Sequence, residues 1–349
     1  GLGRGEVHEG NGAEAAARIE SDKAFAKQLM RQASIPTADP RTFTDPERAR
    51  QYVLTRSEPC VVKASGLAAG KGVFVCNTPE EAVAAIDRIM VERAYGDAGM
   101  TLLVEEKLIG QEVSVMALCD GRSFWTLDPC QDHKQRDEGD LGPNTGGMGA
   151  YSPTPVIDGT TLDEVERYIL IPAIDALRRE GIEYRGVLYA GLMLTAAGPK
   201  VLEFNCRFGD PETQPLLARL RGDLVELCWA TAAGGLDGID LDFDDRTACC
   251  VVMCSEGYPD AYEKGRVITG IEAAADAAGA AQSVEVFHAG TTIDHNGDLV
   301  TAGGRVLGVT ALAEDLGAAR TLANAACDRI HFDGAFFRRD IGGRVEQTA

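Results

Sequence analysis

Apolar positions recur at helical spacing over residues 13–32, where Ala16, Ile19, Phe25, Leu29 and Met30 form one stripe that Ile35-Pro36-Thr37 ends. Thr44-Asp45-Pro46 starts a second helix, with Pro46 suited to its first turn. Short apolar runs predict strands at 60–64 and 72–76, and Thr78-Pro79 opens a helix to about 90. Strands follow at 102–105 and 113–119, after which periodicity is lost over 128–155. A stretch of that length without periodicity is read as a functional loop, because Asp132, His133, Lys134, Met148 and Tyr151 are too specific for a linker. A helix over 162–181, a hairpin of strands 186–195 and 201–207, and a helix over 215–233 come next. The acidic, glycine-containing stretch 234–245 reads as a domain boundary. Strands at 249–254, 284–289 and 306–309 and a helix over 311–330 then suffice for a small α+β domain.

The strand at 201–207 carries polar groups at period two. Leu202, Phe204 and Cys206 are expected to pack, while Glu203, Asn205 and Arg207 share the opposite face. A carboxylate and an amide oxygen suit Mg²⁺ or Mn²⁺ when phosphates supply the remaining ligands, and an arginine beside them can fork onto a phosphate. A half-exposed strand with a solvated ion pair fits this stretch equally well.

With 349 residues the chain exceeds one ordinary core, so two or three domains are expected. The formal charge of −20 would repel a nucleic-acid duplex or an anionic membrane, so neither is expected as a partner, and any phosphate must be held by a local cationic site. The ten cysteines include no Cys-x-x-Cys pair and read as buried free thiols of a reducing compartment, which places the protein in the cytoplasm. The apolar runs are too short to span a membrane, and the first twelve residues look like neither a signal nor a transit peptide.

Two further segments carry chemistry. Gly66-Leu67-Ala68-Ala69-Gly70-Lys71-Gly72 is not a P-loop: the glycine spacing is one short, and no helix opens behind it. A glycine-rich hairpin between strands can instead fold over phosphates, with Lys63 and Lys71 as cations; a tight hairpin with a solvated lysine is the plainer alternative. Val104-Glu105-Glu106-Lys107-Leu108-Ile109-Gly110-Gln111-Glu112 can offer backbone to an adenine and a carboxylate to a ribose, or be an acidic surface strand end.

Strand lysine, glycine loop with lysine, strand ending in Glu-Glu and a distant Glu-x-Asn-x-Arg strand occur in an order that resembles the ATP-grasp superfamily. Within it, 63–72, Gln131-Asp132-His133-Lys134, 142–153 and 203–214 resemble the phosphoribosylamine–glycine ligases, with Arg207 to Gln214 similar to the family signature. The resemblance runs from about Ala16 to near the C-terminus. It implies an α+β ATP-grasp fold, two subdomains clamping ATP, followed by a small C-terminal α+β domain. It also implies a reaction: glycine is phosphorylated by ATP, 5-phosphoribosylamine attacks the acyl phosphate, and glycinamide ribonucleotide, ADP and phosphate leave.

Carried onto this chain, the resemblance implies ATP binding by Lys63, Gly66, Gly70 and Lys71, with Glu105 at the adenine amino group, the backbone of Glu106 and Leu108 on the ring, and Glu112 at the ribose. Glu203 and Asn205 would hold Mg²⁺ or Mn²⁺, and Arg207 with Lys71 would be catalytic. Asp132, Lys134, Asn144, Thr145, Gly146 and Asp210 would face glycine and the amine. The expected division is 1–12 leader or tag, 13–34 helical lead-in, 35–104 small subdomain with the glycine lid, 105–236 large subdomain with the metal and substrate site, and 237–349 C-terminal domain.

Members of the family begin with a further α/β domain of about a hundred residues, a usual domain size, that helps hold the ribosyl substrate. This chain is expected to lack it. That leaves two readings: a ligase, with a partner chain as one source of the missing domain, or an N-terminally truncated ATP-binding fragment without full synthetase activity. A carboxylase of another ATP-grasp branch is a distant third, since no biotin-bearing Met-Lys-Met is present. The glycine loop is expected to close over ATP and exclude water. ATP with Mg²⁺ should therefore protect residues 66–72 from limited proteolysis, and unchanged cleavage there would remove the lid.

Overall fold

The computed structural model describes residues 11–68, 71–279 and 282–343. The leader expected at 1–12 lies almost wholly outside them, as does Gly70. The first helical stripe is split into helices Asn11–Ser21 and Lys23–Gln32. Asp22 leaves the helical path at φ −135°, ψ 93°, and its carboxylate accepts from the Phe25 N–H, so a new N-cap interrupts what period alone reads as one helix.

An antiparallel sheet follows, in the order Pro40–Phe43, Leu102–Glu106, Cys60–Ala64, Val73–Cys76. Its core joins Val62, Ala64, Leu102 and Val104 to Ala49 and Val53 of helix Pro46–Leu54 and to Ala82, Ala85 and Ile86 of helix Pro79–Ile86. Both helices have an N-cap side chain, Asp45 and Thr78, with proline in the first turn.

The second sheet runs Gly198–Asn205, Arg185–Thr195, Gln111–Asp120, Phe124–Thr126. One face packs Val113, Val115, Ala117, Leu188, Ala190, Leu192, Val201 and Phe204 against Leu29 and Met30 and against Ile169, Ala173 and Leu177 of the 159–179 helical stretch. The expected alternation breaks at one point. Gly191 pairs with Glu203 but Leu192 with Val201, so Leu202 is the extra residue of a bulge. Val201, fully buried, takes the core place assigned to Leu202, while Cys206 and Arg207 lie beyond the strand.

The third sheet runs Ser283–His288, Arg305–Ala313, Thr247–Ser255, Gly149–Ser152, Gln131–Asp132, with Ala335–Phe336 also on Thr247–Ser255. Helix Leu316–Cys327 covers it through Ala319, Ala323 and Ala326. The stretch 128–155 is thus not without secondary structure; its strands are two to four residues long, too short to print a period. Two of them bring this stretch onto the sheet built otherwise from residues beyond 246. The helix expected over 215–233 is two, Thr213–Arg219 and Leu224–Ala233, separated where Leu220–Arg221 pairs with Asp242–Phe243 and Asp223 caps anew. The last helix begins at Leu316, because the preceding strand runs on to Ala313.

All ten cysteines are free thiols, and eight are buried. Among the described residues no helix is long and apolar enough to cross a membrane.

Asp120 ties the second sheet to the connection that leaves it. Its Oδ1 accepts from the Arg122 and Ser123 N–H groups at 2.9 and 2.7 Å, and its Oδ2 from Gly235 and Leu236 at 2.9 and 3.1 Å. Burial works against the charge, but these four donors outweigh it and hold the carboxyl well below the usual carboxylate range. A depressed folded pKa contributes stability that is present above the unfolded pKa, near 3.9, and is lost as pH falls through the folded value. Asp120→Asn, whose NH₂ must face two of the donors, should cost about 1–3 kcal/mol at pH 7 in urea unfolding. The difference from wild type should shrink below about pH 4; a difference independent of pH would refute the charged network.

Candidate functional site

The face of the second sheet turned away from its core carries Glu112, Ser114 and Met116 on one strand and Tyr189, Gly191 and Met193 on the next. Glu203 and Asn205 lie opposite Gly191 and Tyr189, on that same face. The strand alternation predicted for Glu203 and Asn205 therefore holds beyond the bulge. Neither side chain has a hydrogen-bond partner among the described residues, Glu203 half-buried and Asn205 buried.

Beside Glu203 lies a cleft lined by Glu20, Lys23, Lys27, Lys63, Glu105 and Leu202. Glu105 is buried with two ammonium groups on it: Lys63 Nζ at 2.8 Å from Oε2 and Lys27 Nζ at 3.2 Å from Oε1. Lys27 also donates to Thr37 Oγ1 at 2.6 Å, and Thr37 donates to the Val201 carbonyl at 2.6 Å. Lys63 reaches the Leu202 carbonyl, left over by the bulge, at 3.4 Å. Burial lowers the Lys27 pKa to about 8, against the attraction of Glu105, and lowers that of Lys23 in the same sense.

The glycine loop starts from this cleft. Ser65 Oγ donates to Asp22 Oδ1 at 3.0 Å and accepts from the Ala24 N–H, and Lys23 Nζ reaches the Gly66 carbonyl at 3.3 Å. Gly66 sits so close to Ala98 that a Cβ would lie 2.6 Å from the Ala98 Cα, so only glycine fits. Lys71 is exposed. At the other strand end Glu106 is exposed and pairs with Lys200 at 3.0 Å, while Leu108 is half-buried.

Lys134 lies 2.8 Å from Glu112 Oε2 and 3.6 Å from Asp132 Oδ2. Burial opposes its charge, yet Asp132 and Glu112 hold its pKa well above the usual lysine range. Glu112, expected at a ribose, is thereby joined to the predicted substrate group. Buried Glu212 accepts from Ser114 Oγ at 3.1 Å and Tyr189 OH at 2.9 Å, and burial pushes the Tyr189 phenol up.

Asn144, exposed, and Thr145 follow, with Thr145 Oγ1 on the Lys134 carbonyl at 2.8 Å. Arg305 of the third sheet joins this loop to the Asp210 turn. It donates to the Gly146 carbonyl at 2.8 Å and to Asp210 Oδ1 and Oδ2 at 3.1 and 2.7 Å. Gly147 takes φ +115°, and a Cβ there would lie 2.3 Å from Pro211 Cδ, which fixes the identity of the residue. Arg207 is exposed and donates from Nε to Glu20 Oε1 at 3.2 Å.

The structure thus gathers Lys63, Glu105 and Glu203 in one cleft, Glu112, Asp132 and Lys134 in one ion-paired group, and Gly146 with Asp210 through Arg305. Four participants were missed. Lys23 and Lys27 do stand at i, i+4 beside the apolar stripe, a readable signal. Glu212 lies inside the signature, and Arg305 has no local signal, since only the third sheet brings it here. Glu105, expected at an adenine, is committed to two lysines, because a buried carboxylate needs paired charge. Among the described residues no group of three or more His, Cys, Asp or Glu could hold a metal; the oxygens of Glu203 and Asn205 suit a hard cation that phosphates help to bind.

Comparison with known proteins gives two family matches: the phosphoribosylglycinamide synthetase ATP-grasp (A) domain over residues 21–213, and the C domain of the same synthetase over 248–344. A phosphoribosylamine–glycine ligase of Rhodopirellula baltica is 54% identical over 343 residues, covering 96% of this chain and 77% of the relative. One of Ralstonia nicotianae is 50% identical, over 95% and 77%. The crystal structure of a phosphoribosylamine–glycine ligase from Thermotoga maritima superposes with a TM-score of 0.85 at 35% identity, over 93% of this chain and 80% of that one. A biotin carboxylase domain of Hydrogenobacter thermophilus 2-oxoglutarate carboxylase shares the fold alone, with a TM-score of 0.67 at 17% identity over 92% and 68%.

The depressed pKa of Lys27 has a measurable sign. Its folded value, about 8, lies below the unfolded one, so the unfolded chain binds the extra proton in between and stability rises with pH across that window. The stability of the ligand-free wild type relative to Lys27→Met should therefore increase from about pH 8 to about pH 10.4, read by denaturant unfolding. A flat difference would show that burial does not lower the Lys27 pKa.

Proposed function

The chain belongs to the phosphoribosylglycinamide synthetase family, and from that premise we infer that it is an ATP-dependent carbon–nitrogen ligase. It joins glycine to 5-phosphoribosylamine in purine biosynthesis, giving glycinamide ribonucleotide, ADP and phosphate. The fold is ATP-grasp with a C-terminal α+β domain. A non-catalytic fragment is not needed to account for these matches. The relatives are longer single chains, so nothing in them calls for a partner chain to supply a domain.

The observation that carries the site reading is the convergence of Lys23, Lys27 and Lys63 with Glu105 and Glu203 in one cleft. In a protein of charge −20 this gathers three lysines that phosphates can use, next to oxygen donors for a divalent cation. On our reading Lys63, with Lys27, and Lys71 with Gly66 and Gly70 of the lid hold the phosphates of ATP. Glu105 sets the lysines, and Glu106 with the backbone to Leu108 lines the adenine edge. Glu112 is assigned to the ribose, although it pairs here with Lys134. Glu203 and Asn205 would hold Mg²⁺ or Mn²⁺, which when bound would neutralise phosphate charge.

A glycine carboxylate oxygen attacks the γ-phosphorus, and ADP leaves with the electron pair of the broken bond. The phosphoribosylamine nitrogen then attacks the acyl carbon, phosphate departs and the nitrogen loses a proton. Lys71 and Arg207 balance the charge on the transferred group, which requires Arg207 to exchange Glu20 for phosphate. Asp132, Lys134, Asn144, Thr145, Gly146 and Asp210 orient glycine and the amine, a matter of positioning more than of bond-making. A cytoplasmic location is consistent with the free thiols.

Phosphate release from ATP and Mg²⁺ should require glycine and 5-phosphoribosylamine together. Release with neither, or with glycine alone at full rate, would overturn the assignment. Glu203→Gln should lower kcat by roughly 10²-fold with fold and nucleotide affinity largely kept; near wild-type turnover would move the cation elsewhere.

A further inference from the structure

The hairpin that links Lys134 to Asn144 has little core of its own. Its strands Gln135–Asp137 and Leu141–Asn144 pair only with each other, the second is exposed throughout and the first half-buried. An isolated two-stranded hairpin is marginal in water, yet this one connects two of the groups assigned above to the substrates.

What grips it from outside is Arg338, 1% exposed. The guanidinium donates from Nη1 to the Gln135 carbonyl at 2.9 Å, at the base of the hairpin, and to Asp140 Oδ1 at 3.1 Å, at its tip. From Nε and Nη2 it forks onto Asp340 at 2.8 and 2.7 Å. Asp340 Oδ2 in turn accepts from the Gly139 N–H at 2.8 Å, and Glu138 Oε1 from the Arg339 N–H at 3.1 Å. Asp140 takes φ +58°, a conformation that a non-glycine residue keeps only where its surroundings hold it.

A buried arginine between two carboxylates is a poor way to gain stability, because desolvation cancels much of the attraction. It is a good way to fix geometry, since a planar fork sets direction as well as distance. Along the chain Gln135 adjoins Lys134, and the Thr145 N–H and hydroxyl both return to the Lys134 carbonyl at 2.8 Å. The place of the hairpin therefore sets the place of Lys134, Asn144 and Thr145 together.

We propose that Arg338 is a positioning residue for the ligase reaction: it touches no substrate, and acts by clamping the Gln135–Asn144 hairpin so that Lys134, Asn144 and Thr145 meet glycine and the amine. This rests on the substrate-side reading given above. The test pairs two measurements on the full chain, for Arg338→Met and for the milder Asp140→Asn, which removes one charge at the hairpin tip. Hydrogen exchange over 134–147 without substrate reads the clamp. Steady-state kinetics, per mole of folded protein, read its consequence.

Faster exchange in that segment, with KM for glycine or phosphoribosylamine raised about tenfold or more and KM for ATP within about twofold, is the expected result. A merely structural arginine would lower the unfolding midpoint and leave the KM values alone, and that outcome overturns the proposal. So does unchanged exchange in both variants, and so does failure of Arg338→Met to fold if Asp140→Asn has wild-type exchange and kinetics. Wild-type protein that released no phosphate with both substrates would instead sink the reading of the site, a result distinct from either exchange outcome.

Discussion

Two ammonium groups on one buried carboxylate hold this molecule together where its parts meet. Lys27 comes from the second helix, Lys63 and Glu105 from adjacent strands of the first sheet, and the hydrogen bonds continue through Thr37 to Val201 and directly to Leu202 on the second sheet. The first sheet, whose apolar core is separate, is thereby fixed to the core that the second helix shares with the second sheet. The cluster carries more positive than negative charge on these three side chains, and Lys23 stands nearby. Burial works against that excess, which lowers the Lys27 pKa. If phosphate binds there as proposed, it offsets that cost, and part of its affinity comes from relief of a penalty that folding has already incurred.

The second sheet works by having two unlike faces. Period-two alternation sends Val113, Val115, Leu188, Ala190 and Phe204 into one core, and Glu112, Ser114, Tyr189, Glu203 and Asn205 to the other side. A slip of one residue would exchange the two sets. The bulge at Leu202 is a slip of that kind confined to one strand. Before it Val201 faces the core, and after it Phe204 does, so Glu203 and Asn205 share the opposite face although the strand began out of phase. The bulge also leaves the Leu202 carbonyl available to Lys63.

What could be read from the chain followed from how local each cause is. The strands read at 60–64 and 102–105 and the hairpin read at 186–195 and 201–207 depend on short-range pattern, and the structure has them within a few residues, as 60–64, 102–106 and 185–195 with 198–205. The break at Asp22 was missed because an N-cap inside a continuous apolar stripe looks, at the level of periodicity, like one more polar residue. The strands of 131–152 were missed because two to four residues cannot display an alternation. Lys27 was legible in principle, at helical spacing from Lys23. Arg305 was not: it reaches Asp210 and Gly146 across 95 and 159 residues of sequence, and no local rule carries such a distance.

That distance bears on why the substrate side is built as it is. On the reading proposed above, the phosphates are gripped by compact charge on rigid strands, directly by Lys63 and through a divalent cation by Glu203. A small amino acid and an amine offer little surface, so their site gains precision from the parts that hold it rather than from the number of contacts it makes. On the substrate-side reading proposed above, those parts are Arg305, which joins the Gly146 carbonyl to the Asp210 carboxylate, and Arg338, which joins the hairpin to the chain's last described segment. Both are arginines from the C-terminal portion reaching loops of the ATP-grasp portion. The planar fork explains the choice: a lysine can neutralise a carboxylate, but only a guanidinium can fix two acceptors at set angles to one another.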